Sequence, residues 1–240
     1  MKKLIVLQHI EREGPGLFAK VAKQKGFEIN IFRLDQGAKL PELNKDDLVV
    51  IMGGPMSVND INKSKYHWLK KEVEFIKKAL ERGLKVIGIC LGAQLMAYAC
   101  GGKVTKLKKG FPLKESPEIG WEAIYSSKIN NDILQDFFKE PKFVLHWHSE
   151  RIILPSCAKL IASSKYCTEQ LFKLNNSSYG LQFHIETNDE IVKKWIREDK
   201  EFIRFSLGEK GPEEIRKQND IYSPLTLKWR ISLIKKLIEI

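Results

Sequence analysis

No apolar run in this 240-residue chain approaches the roughly 18 residues that a membrane span needs. No segment repeats, and none is of low complexity. The opening Met1-Lys2-Lys3-Leu4-Ile5-Val6-Leu7-Gln8 is basic and then briefly apolar, but too short, and without a small-residue cleavage site, for a secretory leader. It reads as a buried first strand. Cysteine is scarce: Cys90, Cys100, Cys157 and Cys167 form no Cys-x-x-Cys pair, which removes support for a zinc ribbon or a thioredoxin-like motif. Cys100 and Cys157 read as small buried or half-buried residues. A reduced, cytoplasmic setting is the simplest reading. The C-terminal part carries no Gly-rich phosphate-cradling loop, and nothing calls for a cofactor.

What is present is the balance of an ordinary globular protein. Hydrophobic residues make up 43% and charged residues 30%, which excludes a collagen-like or disordered chain. Lys and Arg outnumber Asp and Glu by 41 to 30, giving a formal charge of +11. The lysines interleave with glutamates, as between Lys65 and Lys78 and between Lys193 and Lys200, a pattern of solvated helix faces. Without a stacking-aromatic or groove-reading motif, the charge does not point to nucleic acid.

The first two-thirds alternates apolar runs with helical patterns, the rhythm of an α/β fold with a largely parallel sheet. Strands are expected at Leu4–Gln8, Phe27–Arg33, Asp47–Met52 and Leu84–Ile89, and helices at Gly16–Lys25, Ser64–Arg82 and Leu91–Ala99. Shorter strands follow at Trp121–Tyr125, Phe143–Trp147 and Leu160–Ala162. A hairpin of Glu169–Leu174 and Tyr179–Phe183 turns at Asn175-Asn176-Ser177-Ser178. The remainder is helical: Glu190–Phe205, Pro212–Gln218, and Leu225–Glu239 after Pro224. The expected organisation is one α/β domain over residues 1–190 with a helical extension, 191–240, packed on it.

The most informative stretch is Gly88-Ile89-Cys90-Leu91-Gly92-Ala93-Gln94, where a buried strand runs straight into a helix. This is the nucleophile-elbow arrangement with cysteine in the serine position. The glycines let strand and helix approach closely, and a helix N-terminus favours the thiolate. The plain alternative is a buried cysteine beside packing glycines. A nucleophile needs a base, and the base an orienter. Gly180-Leu181-Gln182-Phe183-His184-Ile185-Glu186 supplies both, because residues two apart on a strand face one side. Met52-Gly53-Gly54-Pro55, at the end of the third strand, can expose a backbone N–H; with the N–H of Leu91 it would form an oxyanion hole.

These three motifs, in this order and spacing, resemble the class I glutamine amidotransferase family over roughly residues 1–190, most closely the free-standing members similar to the glutaminase domain of GMP synthase. The resemblance implies a flavodoxin-like fold and a triad of Cys90, His184 and Glu186, with the backbone of Gly54 and Leu91 as oxyanion hole. It also implies that Gly53, Gln94 and the Trp147-His148 backbone hold the substrate. The synthase domains usually carry Ser-His-Gly-Asp where this chain has Trp147-His148-Ser149-Glu150, which leaves open the identity of the bound amino acid. Trp-His and Glu118-Ile119-Gly120-Trp121 are expected in the free-standing subgroup. His146-x-His148-x-Glu150 could ligate a metal on alternate strand positions, but the cysteine triad needs none, and no metal is expected. His9, past the first strand, either lines the pocket or lies on the surface.

The implied reaction is hydrolysis of the glutamine side-chain amide to glutamate and ammonia through a cysteine thioester. The alternatives are a free-standing γ-glutamyl peptide or amide hydrolase with the same triad, and a non-enzymatic regulatory or binding protein. The chain has no room for a synthetase, so an ammonia acceptor would be a separate protein chain.

Overall fold

In Leu4-Ile5-Val6-Leu7 successive side chains point to opposite faces of a sheet and all are apolar, so the strand demands cover on both sides. The computed structural model, which describes residues 2–127 and 132–240, supplies that cover. On one face Leu4, Val6, Val50 and Ile87 pack against Leu17, Phe18 and Val21 of α1 (Gly16–Gln24) and against Leu233, Ile234 and Leu237 near the C-terminus. On the other, Ile5, Leu7, Val49 and Val86 meet Leu69, Ile76 and Leu80 of α2 (Trp68–Glu81) and Leu95 and Met96 of α3 (Leu91–Ala99).

The strands in chain order are β1 (Lys3–Gln8), β2 (Glu28–Arg33), β3 (Leu48–Ile51), β4 (Lys85–Ile89), β5 (Lys103–Lys106), β6 (Lys108–Lys109) and β7 (Lys114–Glu115). They continue with β8 (Glu118–Ser126), β9 (Lys142–His148), β10 (Glu150–Ile153), β11 (Lys159–Ser164), β12 (Leu171–Lys173) and β13 (Tyr179–Leu181). The main sheet runs β2-β1-β3-β4-β13-β12-β11-β8-β9. From β2 to β13 every pairing is parallel, in the flavodoxin-like order; from β13 to β9 every pairing is antiparallel. The expected hairpin is present as β12 and β13. The α/β class with helices on both faces is as the sequence suggests, and the parallel half carries the motifs. No helix among the described residues is long and apolar enough to cross a membrane.

The C-terminal helices differ from expectation in two places. The helix expected over Glu190–Phe205 is two, α4 (Asp189–Glu198) and α5 (Lys200–Leu207). They part at Asp199, whose carboxylate pairs with Arg12 Nη1 (2.6 Å) and accepts from Trp147 Nε1 (2.9 Å). The two helices expected either side of Pro224 are instead one, α6 (Gly211–Glu239). An interior proline costs about 3 kcal/mol, and packing and a buried hydrogen bond around it offset that cost. Tyr222 stacks on Phe143 with centroids 4.3 Å apart, and Arg230 Nη2 donates to the Ser223 carbonyl at 2.8 Å. Cys157 also departs from its expected burial: it is exposed, just past Pro155, beside the half-buried Cys100.

Candidate active site

The site grows from the end of β4. Cys90 adopts φ 51° and ψ −105°, a backbone conformation that L-residues rarely take, and is held there from both sides. Its N–H donates to the Leu181 carbonyl of the neighbouring strand at 2.7 Å, and its own carbonyl accepts from Gln94 N in the first turn of α3. Gly88 and Gly92 make the turn possible. A Cβ on Gly88 would press on the Gly92–Ala93 backbone, and one on Gly92 would collide with the Ile51 carbonyl. The thiol therefore projects at the carboxyl edge of the sheet and at the positive end of a helix.

His184 follows β13 and is tied by its N–H to the Leu145 carbonyl of β9 at 2.9 Å. Its Nδ1 lies 2.7 Å from Glu186 Oε1, and its ring and the Cys90 side chain meet over Gly53. All three side chains are buried. The edge of Trp195, from α4, closes over the imidazole with centroids 4.8 Å apart. Burial opposes charge on His184, yet Glu186 and Cys90 hold its pKa well above the ordinary histidine range. Burial pushes the Cys90 thiol up, and His184 pulls the other way.

The other residues singled out from sequence gather around the thiol. Gly54, Cys90, Gln94, Trp147 and His148 line one cavity of about 480 Å³. The Trp147 carbonyl accepts from Cys90 Sγ at 3.9 Å, and Gly54 abuts the Leu91 side chain. Gly53 lies beneath rather than in the wall: its carbonyl accepts from His9 Nδ1 at 3.0 Å. His9 is fully buried and its Nε2 is 2.8 Å from Glu72, so it braces the Gly53-Gly54 turn from behind and is not a surface residue. Burial works against its charge, but Glu72 and the Gly53 carbonyl raise its pKa.

The Glu150 carboxylate turns away from the histidines to Ser57 Oγ (3.0 Å) and Lys106 (3.4 Å), while its backbone carbonyl accepts from His148 Nδ1 at 2.8 Å. Glu118 takes its place: among the described residues Glu118, His146 and His148 offer ligand atoms within 4.8 Å of one another and could hold a metal ion. In the structure the Glu118 carboxylate accepts from Ser164 Oγ (2.6 Å) and Gln170 Nε2 (2.7 Å), and lies 3.1 Å from His148 Nε2. Burial opposes its ionisation, but His148 and Ser164 bring its pKa to about 2. Burial brings His146 down to about 4.

Several site residues were not singled out from the sequence. Gln182 is fully buried, donates to Cys90 Sγ at 3.7 Å and accepts from Gln94 Nε2 at 3.2 Å. It sits inside the His184 motif, so its alternation with His184 along the chain was the available signal. Arg12 and Glu13, from the loop after β1, and Asp199 and Phe202, from the C-terminal helices, complete the cavity. No local pattern marks these four.

Comparisons with known proteins identify the family. A family model described as glutamine amidotransferase class-I matches residues 17–200. The chain is 29% identical over 205 residues to the glutamine amidotransferase-like protein YfeJ of Salmonella typhimurium, covering 84% of this chain and 83% of the relative. It is 28% identical over 185 residues to gamma-glutamyl peptidase 3 of Arabidopsis thaliana, covering 73% and 70%. It is 30% identical over 191 residues to one of the subunits of the glutamine-hydrolyzing GMP synthase of Sulfolobus acidocaldarius, covering 78% and 90%. A glutamine amidotransferase structure from Thermotoga maritima superposes with a TM-score of 0.85 at 25% identity, covering 99% of this chain and 98% of that one. The chain belongs to the class-I glutamine amidotransferase family.

Proposed function

We propose that this protein hydrolyses the side-chain amide of glutamine to glutamate and ammonia through a thioester on Cys90. The observation that carries the reading is a cysteine held at φ 51° on a strand-to-helix turn, facing a histidine that is itself 2.7 Å from a buried glutamate. The Cys90 thiolate attacks the amide carbon. The backbone N–H groups of Gly54 and Leu91 stabilise the oxyanion, and His184 donates its proton to the departing nitrogen. Water, activated by His184, then cleaves the thioester. Glu186 orients the imidazole and supports its charge, while Gln94 and the Trp147-His148 backbone hold the amino-acid end. No cofactor takes part in this scheme. A reducing, cytoplasmic setting belongs to the reading, since Cys90 must stay a free thiol.

A second reading has a specific observation in its favour. The cavity, at about 480 Å³, lies within the roughly 300–1,000 Å³ range that takes drug-sized ligands, and it extends past the thiol to Phe202. That space suits a γ-glutamyl amide or peptide whose leaving group is larger than ammonia, and the Arabidopsis relative is named a gamma-glutamyl peptidase. The Sulfolobus relative, named as one part of a GMP synthase, suggests a third arrangement, with a separate synthetase receiving the ammonia. Glutamate release from glutamine and from γ-glutamyl dipeptides, measured on the purified chain, separates them. Faster dipeptide turnover selects the peptidase reading. Weak glutamine turnover that rises on adding a synthetase partner selects the third. Cys90→Ser should abolish each; retained hydrolysis refutes the thioester scheme.

A further inference from the structure

The loop after β1 brings a carboxylate into the catalytic cavity that the triad scheme leaves unused. Glu13 is buried and lines the cavity with Cys90. Its Oε2 sits so close over the Gly53 Cα that a methyl group there would collide with it. The same methyl position lies 3.3 Å from His184 Cε1 and 3.5 Å from the Cys90 Cβ. Carboxylate, imidazole and nucleophile thus converge on one point, and only glycine leaves that point open. The nearest ionic partner of Glu13 is Arg12 Nε at 3.8 Å, too long for a hydrogen bond, and Arg12 is committed to Asp199. Burial raises the Glu13 carboxyl above the ordinary carboxylate range, against the opposing pull of His184 and Arg12.

We propose that Glu13 is a catalytic residue that accepts an N–H of the departing nitrogen during acylation. The inference rests on the hydrolytic reading above and deepens it. When Cys90 sulfur bonds to the γ-carbonyl carbon, His184 passes its proton to the amide nitrogen, which becomes cationic before the C–N bond breaks. A carboxylate on that side of the cavity stabilises the developing positive charge, as the backbone donors stabilise the negative one. The nitrogen leaves with the bonding electron pair and the proton from His184. Glu13 gains and loses no proton over the step. Its role depends on a nitrogen in the leaving group, which sets it apart from the triad.

The test compares two substrates in wild type and Glu13→Gln: a γ-glutamyl amide, and a γ-glutamyl thioester, whose leaving thiolate carries no N–H. Glu13→Gln should lower kcat/KM on the amide about 100-fold, and leave the thioester unchanged or slightly faster, since a negative neighbour has been removed from a negative leaving group. An equal loss on both substrates overturns the leaving-group role. Intact mass after mixing wild type with the thioester keeps the two proposals apart. A γ-glutamyl adduct on Cys90 upholds the hydrolytic reading whatever Glu13→Gln does. Failure of wild type to acylate with either substrate overturns that reading and this inference with it.

Discussion

Arg230, deep in α6, donates from Nη1 to the Thr187 carbonyl at 2.5 Å and to the Ile185 carbonyl at 3.5 Å, the residues on either side of Glu186. Its side chain is fully buried, and burial lowers its pKa to about 10. The helix nearest the C-terminus therefore holds the segment that orients His184, and the guanidinium also ties Ser223 beside Pro224.

Arg230→Met should leave three backbone carbonyls short of a buried donor. Each such loss costs about 1–3 kcal/mol, so a fall in stability of about 3 kcal/mol or more is expected, with a loss of glutamine turnover as Glu186 shifts. Thermal melts and turnover of the variant check this. An unchanged melting temperature contradicts the bracing role.

Phe202 and Asp199 wall the outer cavity from the C-terminal helices. Phe202→Ala should raise KM for a γ-glutamyl dipeptide about fivefold to tenfold, in keeping with a lost apolar contact of about 1 kcal/mol or more, and change glutamine kinetics little. Steady-state kinetics on both substrates give the comparison. Equal effects on both would place Phe202 outside the leaving-group region.

His146 is buried with a pKa brought to about 4 from an ordinary 6.5. The unfolded chain then binds the extra proton first as pH falls, so this group's contribution is full above pH 6.5 and disappears as pH drops toward 4. At 1.36 kcal/mol per pKa unit the loss is roughly 3 kcal/mol. Denaturant unfolding between pH 7 and 4 should show it, and His146→Gln should flatten that slope. Glu118, near 2, acts in a separate window, its contribution being lost below pH 4.5.

The proposed triad could be read from the sequence because its geometry is local or topological. Glu186 and His184 share a side of one extended segment, Cys90 closes a strand, and a parallel sheet brings strand ends to one edge. The glycines at 88 and 92 stand where a Cβ would strike backbone. Glu13, Trp195, Asp199 and Arg230 left no such mark, since each reaches the site through packing between elements far apart in the chain. Pro224 misled for the same reason: propensity reads a break there, whereas Tyr222 on Phe143 and Arg230 on Ser223 keep the helix whole. Asp199 did the opposite, interrupting a helical pattern to meet Arg12 and Trp147.

The most direct test of the central claim is intact-mass and peptide mapping after treatment with a chloroketone analogue of glutamine. The proposed thioester chemistry predicts one adduct, on Cys90, formed quickly in wild type, slowed in His184→Ala and blocked by excess glutamine. Labelling that spreads over the exposed Cys157 and half-buried Cys100 at rates matching Cys90, or that ignores glutamine, would contradict it.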